Sequence, residues 1–501
     1  MRLLGGVLAG VVVALATGGV AQAQDTGVGY GGGTPGTASD FRLVGHSPLA
    51  GRGMNAAPAI YRNFVYVGNR SDASDYCAGG QAKGCEHRRP GILIVDAEDP
   101  QEPEVVGEIG APHAAQVGIT TRELRVLPER KLLIVMTFRC SNALHACAPG
   151  TDAEFGFDLR FFDLSDPRQP RFISSYVPTS KAGTPVKPHE MHLWTDPVDR
   201  NRALLYLSTP SGSRDPARPN LLVVDISDVH AGGQVRHVTE ANFNPRYPAG
   251  VPTGSLHSMG VSADGRRLHL AHLAGGYLFA DSSQIADNVA DPQIRLVTDP
   301  VNRATWARAD AHSAFELPGR DLVVTTDEIY GTFTDPNHGC PWGWSHLVDI
   351  QNRERPTVVG RYLLEQNLPQ FCETAAGQDD EFTSYAAHNP TPLPNLVFTT
   401  WHSGGLQAYD VRDPTDPRQT GWYSPRPLAA VALEDPALSR GTNKVLMWSF
   451  PIIKDGLIYV TDIRNGLYIL RYTGRGARAV RGIDFYEGNS NLGDALRLAE
   501  R

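Results

Sequence analysis

The feature that most constrains this chain is a repeat. A short β-rich run ending in Asp, then a polar turn carrying Pro or Asp-Pro, then a second β-rich run, recurs as "GILIVDAEDPQEPEVVGEIG", "LRFFDLSDPRQPRFISSYV", "LLVVDISDVHAGGQVRHVT", "YLFADSSQIADNVADPQIRLV", "SHLVDIQNRERPTVVGRYL" and "LQAYDVRDPTDPRQTGWYS". A seventh run, "GLYILRYTG", lacks the Asp. The units stand about 55 to 65 residues apart, each preceded by two further strand-like runs such as "FVYVGN" and "KLLIVMTF". Four short antiparallel strands per unit, repeated radially, is the signature of a β-propeller. The last unit ends after three strands, and "FRLVGHSPL" at residues 41 to 49 matches the missing fourth. Pairing the chain ends would remove exposed sheet edges. The expectation is therefore all-β: a seven-bladed β-propeller over residues 41–474, closed by pairing an N-terminal strand with the last blade, with 475–501 as a C-terminal tail.

These units resemble the LVIVD-repeat family of secreted bacterial propellers, with "ILIVD" the closest copy, and the resemblance spans nearly the whole chain after its leader. It implies the fold and says little of chemistry, because the motif describes a strand and its turn. The repeated Asp96, Asp163, Asp225, Asp349 and Asp410 are expected to hold those turns by accepting backbone hydrogen bonds.

Residues 1–23 read as a signal peptide: Arg2, an apolar run, then Ala21-Gln22-Ala23 as a cleavage signal. Residues 24–40 read as a flexible Gly-rich leader. A secreted or periplasmic location follows, without membrane insertion, since no later window is apolar over the roughly 18 residues a span needs. With a formal net charge of −8 and no Lys/Arg blocks, no nucleic-acid partner is expected. Oligomeric state is left open. Six cysteines in an exported chain favour disulfides, the simplest pairing being sequential: Cys77 with Cys85, Cys140 with Cys147 and Cys340 with Cys372.

Aligning the units on their first strands singles out histidine. "HEMHLWTD" matches "HSMGVSAD", while "HSAFELPG" and "HNPTPLPN" both place His five residues before Leu-Pro. Four consecutive blades thus carry His189, His257, His312 and His388 at one structural position, and the other three carry Trp448, Asn55 and Arg122. The expectation is one transition-metal ion on the axis held by the four imidazoles, Fe or Cu favoured and Zn possible. His192 could replace His189 if the register shifts by three, with Glu190 behind it. Counting to the ends of the second strands adds His272, His402, Asp327, Glu328 and Asp462 as an outer layer or alternative ligands. Arg122, Trp448 and Asn55 are candidate substrate contacts: an anion clamp, an apolar wall and a hydrogen-bonding amide. His87, His113 and His145 read as solvated loop residues. The connections between second and third strands are long in blades one, two and five, and all the cysteines fall in them or emerge beside them, which would wall off a pocket over the histidines.

No G-x-S-x-G elbow, H-E-x-x-H, P-loop or dinucleotide fingerprint is present, so no nucleotide cofactor is expected. The architecture is similar to that of carotenoid-cleaving oxygenases, which have a propeller and an all-His iron site, although their sequence motifs are absent. The reading is a metal-dependent enzyme, oxidoreductase rather than hydrolase or lyase, acting on a small organic substrate. The alternative is an extracellular binding or cell-surface interaction protein whose histidines are structural.

Overall fold

The computed structural model describes residues 31–77, 83–140, 145–148, 156–329, 340–375, 377, 384–434 and 443–500. The expected signal peptide and the start of the leader lie outside the described residues. The chain is all-β, built from antiparallel sheets whose strands follow one another in sequence order. The third unit is typical: Met191–Thr195, Ala203–Ser208, Leu221–Asp225 and Arg236–Ala241 pair consecutively. Two such units, beginning at Asn55–Tyr61 and Ile119–Leu127, share one eight-stranded sheet through the pairing of Asn69 with Thr121. Phe41–Ser47 pairs with Gly466–Tyr472, adding a strand from the beginning of the chain to the sheet at its end.

The sequence dictates this stacking. Third strands such as Ile92–Asp96 and Leu221–Asp225 are apolar without alternation and buried up to the terminal Asp, as sheets covered on both faces require. Their side chains form clusters between successive units. Leu205, Leu222 and Val224 pack with Met136 and Phe161, and Leu204, Tyr206 and Val223 pack with Met259 and Leu270. A further cluster joins Val65, Val67 and Leu93 to Tyr459, Leu467 and Ile469, so the first unit packs on the last.

The Asp turns behave as expected. Asp96, Asp163, Asp225, Asp349 and Asp410 each accept a hydrogen bond from the backbone N–H two residues on, at 2.8 to 3.1 Å. The turns after Asp96 and Asp410 seat against a neighbouring fourth strand, where Gly45 and Gly360 leave room: a Cβ there would lie 2.1 Å from the Pro100 carbonyl oxygen and 1.9 Å from that of Pro414.

Two segments differ from expectation. Residues 31–40 do not hang free: Thr37–Ser39 pairs with Arg418–Ser424, and Gly33 accepts hydrogen bonds from Tyr385 and Asn443. Beyond Tyr472 the chain folds back rather than trailing away. Phe485–Tyr486 pairs with Ile452–Lys454, the Asn489 carbonyl accepts from the Leu193 N–H, and Asn491 binds Thr195 and the Ala263 carbonyl. Tyr486, Val480 and Leu498 are buried in the core, so apolar burial holds this segment down.

Three disulfides, Cys77–Cys85, Cys140–Cys147 and Cys340–Cys372, form the sequential pairing and fit an oxidising environment. Among the described residues no helix is long and apolar enough to cross a membrane.

Candidate metal centre

The first strands of successive units lie side by side, and their N-terminal ends surround a cavity of about 170 Å³. His189, His257, His312, His388, Trp448, Asn55 and Arg122 all line it. Repeated backbone irregularity helps to aim them. The pairing of first with second strands slips between Asn55 and Pro58, Thr121 and Glu123, Ala311 and Ser313, and Ala387 and Pro390. A β-bulge at that point re-aims a side chain that regular pleating would direct elsewhere.

Hydroxyls from adjoining strands fix the backbone of three of the four histidines. Ser208 donates to the His257 carbonyl at 2.6 Å, Ser258 to that of His312 at 2.6 Å, and Thr326 to that of His388 at 2.5 Å. Successive imidazole centroids are then 4.2, 4.0 and 4.1 Å apart from His189 to His388.

Side-chain partners also set the tautomers. His388 Nδ1 lies 2.6 Å from the Trp448 carbonyl, which only accepts, so Nδ1 carries the proton. His312 Nδ1 lies 2.8 Å from the Ser313 hydroxyl, which in turn donates to Asn389 Oδ1 and therefore accepts from the ring. In both rings Nε2 is left with a lone pair. Both lone pairs face Glu328: Oε2 is 3.4 Å from His312 Nε2, and Oε1 is 3.2 Å from His388 Nε2 and 3.4 Å from His402 Nε2. His312 Nε2, Glu328 Oε1 and His257 Nδ1 are buried without a hydrogen bond. Orphaned buried acceptors are costly, and here they converge.

Burial sets the charge states. Desolvation, then neighbouring imidazoles, holds His312 and His388 well below the ordinary imidazole value, and desolvation holds His257 down to about 4. Neutral imidazole is the form that ligates metals. Burial pushes the Glu328 carboxyl up to about 8, against the pull of Arg70.

The ligand atoms fall into three overlapping triads: His189, Glu190 and His257; His257, His312 and Glu328; Glu328, His388 and His402. Within each triad they lie within 4.8 Å of one another, and none of the three contains all four expected imidazoles. The rings follow an arc, so its ends diverge. The four expected imidazoles line one cavity, and the three groups form a chain in which His257 and Glu328 are shared.

Several candidates fall elsewhere. His192 is buried against Phe315 instead of lining the cavity, because it lies inside the regular part of Met191–Thr195. His272 packs between Phe243 and Tyr247. Asp327 accepts from the Trp306 indole at 2.6 Å and from the Asp310 N–H. Asp462 caps a turn, accepting from the backbone of Leu446, Arg464 and Asn465. His87 and His145 are buried rather than solvated. His145 lies 3.5 Å from Arg70, whose guanidinium covers the Trp448 ring at 3.7 Å.

Arg70 and Glu123 line the cavity without having been singled out. For Glu123 a signal existed, since it follows Arg122 as Glu190 follows His189. Trp448 and Cys85 pack together against the apolar cluster of Met54, Ala146, Leu433, Leu446 and Ile463, which brings the disulfide-bearing loops of Cys85 and Ala146 beside this face. The buried Asp72 carboxylate ties two of these loops together, accepting from Gly118 at 2.8 Å and Ala148 at 2.9 Å.

No family model and no curated protein matches the chain. Among solved structures it is similar to a protein from Lactobacillus plantarum, at 11% identity over 77% of this chain and 86% of that one, with a TM-score of 0.43. It is also similar to Chaetomium thermophilum Sqt1, at 12% identity over 87% and 98%, with a TM-score of 0.45. The same Sqt1 bound to the N-terminus of ribosomal protein L10 gives 12% identity over 85% and 98%, also at 0.45.

Proposed function

We propose that the chain is an exported seven-bladed propeller of the LVIVD-repeat type whose central cavity holds a transition-metal centre, and that it is a metal-dependent oxidoreductase acting on a small organic molecule. Closure of the ring is supported by the apolar cluster shared by first and last units and by the Pro100 turn seated on Gly45. The metal reading rests on one observation: two imidazoles, with Nδ1 committed to other acceptors, turn their Nε2 lone pairs onto the buried carboxylate of Glu328. A proton on Glu328 can relieve only one of these contacts at a time, leaving the other imidazole lone pairs against the carboxyl group. A metal ion satisfies all of them at once, and imidazole with carboxylate suits iron, copper or zinc.

When bound, such an ion supplies Lewis acidity or, if redox active, electron transfer. The protein's own residues supply the surroundings. Trp448 and Phe138 provide apolar wall, and Arg122 and Arg70 positive charge beside the imidazoles, while the Asn55 amide is engaged by Arg52 and the Ile463 carbonyl. A small organic substrate with an anionic or polar end matches that lining.

Metal analysis of protein purified from metal-replete medium tests the reading. Stoichiometric iron or copper is expected, with turnover lost on replacement by zinc. Retained turnover with zinc would point to hydrolase or lyase chemistry. Absence of bound metal, with none taken up on addition, would leave a binding platform with structural histidines.

A further inference from the structure

We propose that the centre is dinuclear, with Glu328 as a carboxylate bridge between two metal ions; this rests on the metal reading above. The two oxygens of Glu328 serve different partners. Oε2 faces His312 at 3.4 Å, in the triad completed by His257. Oε1 faces His388 at 3.2 Å and His402 at 3.4 Å, in the next triad along the arc. The two oxygens therefore make their contacts in different three-residue groups, and the groups share no residue but Glu328.

That arrangement differs from what one ion requires. An ion bound to a single carboxylate takes both oxygens on one side or uses one and leaves the other to a hydrogen-bond donor. Here both oxygens face imidazoles, and Oε1 is buried without a hydrogen bond. Bridging carboxylates hold ions roughly 3.5 to 4 Å apart, the spacing of two-metal sites. The imidazole spacing is compatible: the centroids of His312 and His388, one from each set, are 4.1 Å apart. The tautomers comply as well, since His312 and His388 both present Nε2 toward the bridge while Ser313 and the Trp448 carbonyl hold Nδ1. Two three-ligand sets leave open positions on both ions, facing a cavity of about 170 Å³.

Cobalt(II) is the probe. The purified full chain, stripped with chelator, is titrated with Co2+, followed by visible absorption and by metal analysis after dialysis. Two equivalents per chain are expected, with exchange coupling between them by electron paramagnetic resonance. His257→Ala should leave one equivalent in the Glu328, His388 and His402 set, His402→Ala should leave one in the other, and Glu328→Gln should weaken both about 10- to 100-fold or more. Thermal melts of each variant check that it folds, and wild-type stoichiometry and coupling need no variant. One equivalent in the wild type, lost in any of the three variants, overturns the bridge and leaves the metal reading standing. Two uncoupled equivalents that survive Glu328→Gln also overturn it. No binding overturns both.

Discussion

At the scale of single residues, direction of the side chain matters more than position along the strand. His388 and His192 are both buried histidines on first strands, yet only His388 reaches the cavity. His388→Ala is expected to weaken one Co2+ equivalent at least about 100-fold, while His192→Ala leaves both unchanged; equilibrium dialysis of the two variants checks this. Ser313→Ala removes the acceptor that fixes the His312 tautomer and should weaken binding about 10-fold without removing a ligand. Aligning the repeats located seven of the cavity-lining positions, from His189 round to Arg122, because equivalent points on repeated strands share a backbone environment. The outer layer was less legible. Counting 14 to 16 residues onward reached His402 and Glu328, which join the site, and also His272, Asp327 and Asp462, which do not. Bulges in the first strands alter the phase between units, so a residue count fixes height along the strand but not the direction a side chain takes.

At the scale of the element, the Asp turn is the recurring device. The Asp225 carboxylate accepts from both the N–H and the hydroxyl of Ser227 and pairs with Arg236. Asp225→Ala should destabilise the fold by about 1 kcal/mol, read from urea unfolding. The same turns predict an acid response. For Asp163, Asp225 and Asp410 partial burial opposes ionisation, but hydrogen bonds from the turn and from Arg outweigh it and hold the carboxyls below their ordinary value. Folded values lower than unfolded ones give stability that is fully present above the unfolded carboxyl value of about 3.9 and lost as pH falls through the folded values. The urea midpoint should therefore drop as pH falls below about 4, less steeply in a variant lacking two of these Asp residues. These turns were readable in the sequence because an Asp accepting from two residues on is a local interaction. The glycines of the fourth strands were not read, since their purpose, room for the next unit's turn, exists only after units stack.

At the scale of the whole molecule, covalent and non-covalent ties act on opposite ends of the first strands. On the cavity side Cys85 packs beside Trp448, and the three disulfides differ in the loops they close. Cys340–Cys372 closes a loop of sequence separation 32 against 8 and 7 for the others. In the chain-entropy account it should contribute about 1 kcal/mol more than either short bridge, and pairwise Cys→Ser variants compared by thermal melting check the order. At the far end, residues 485–492 reach across to strands from several units, from Ile453 to Leu193, Ala263 and the Pro392 carbonyl. Tyr486→Ala in this segment should cost about 3 to 5 kcal/mol, measured by urea unfolding, since it removes a large buried ring.

That returning segment has a kinetic consequence. Because residues 485–492 hold Ile453, Leu193, Ala263 and Pro392 at once, release of this segment should precede separation of those strands when the protein unfolds.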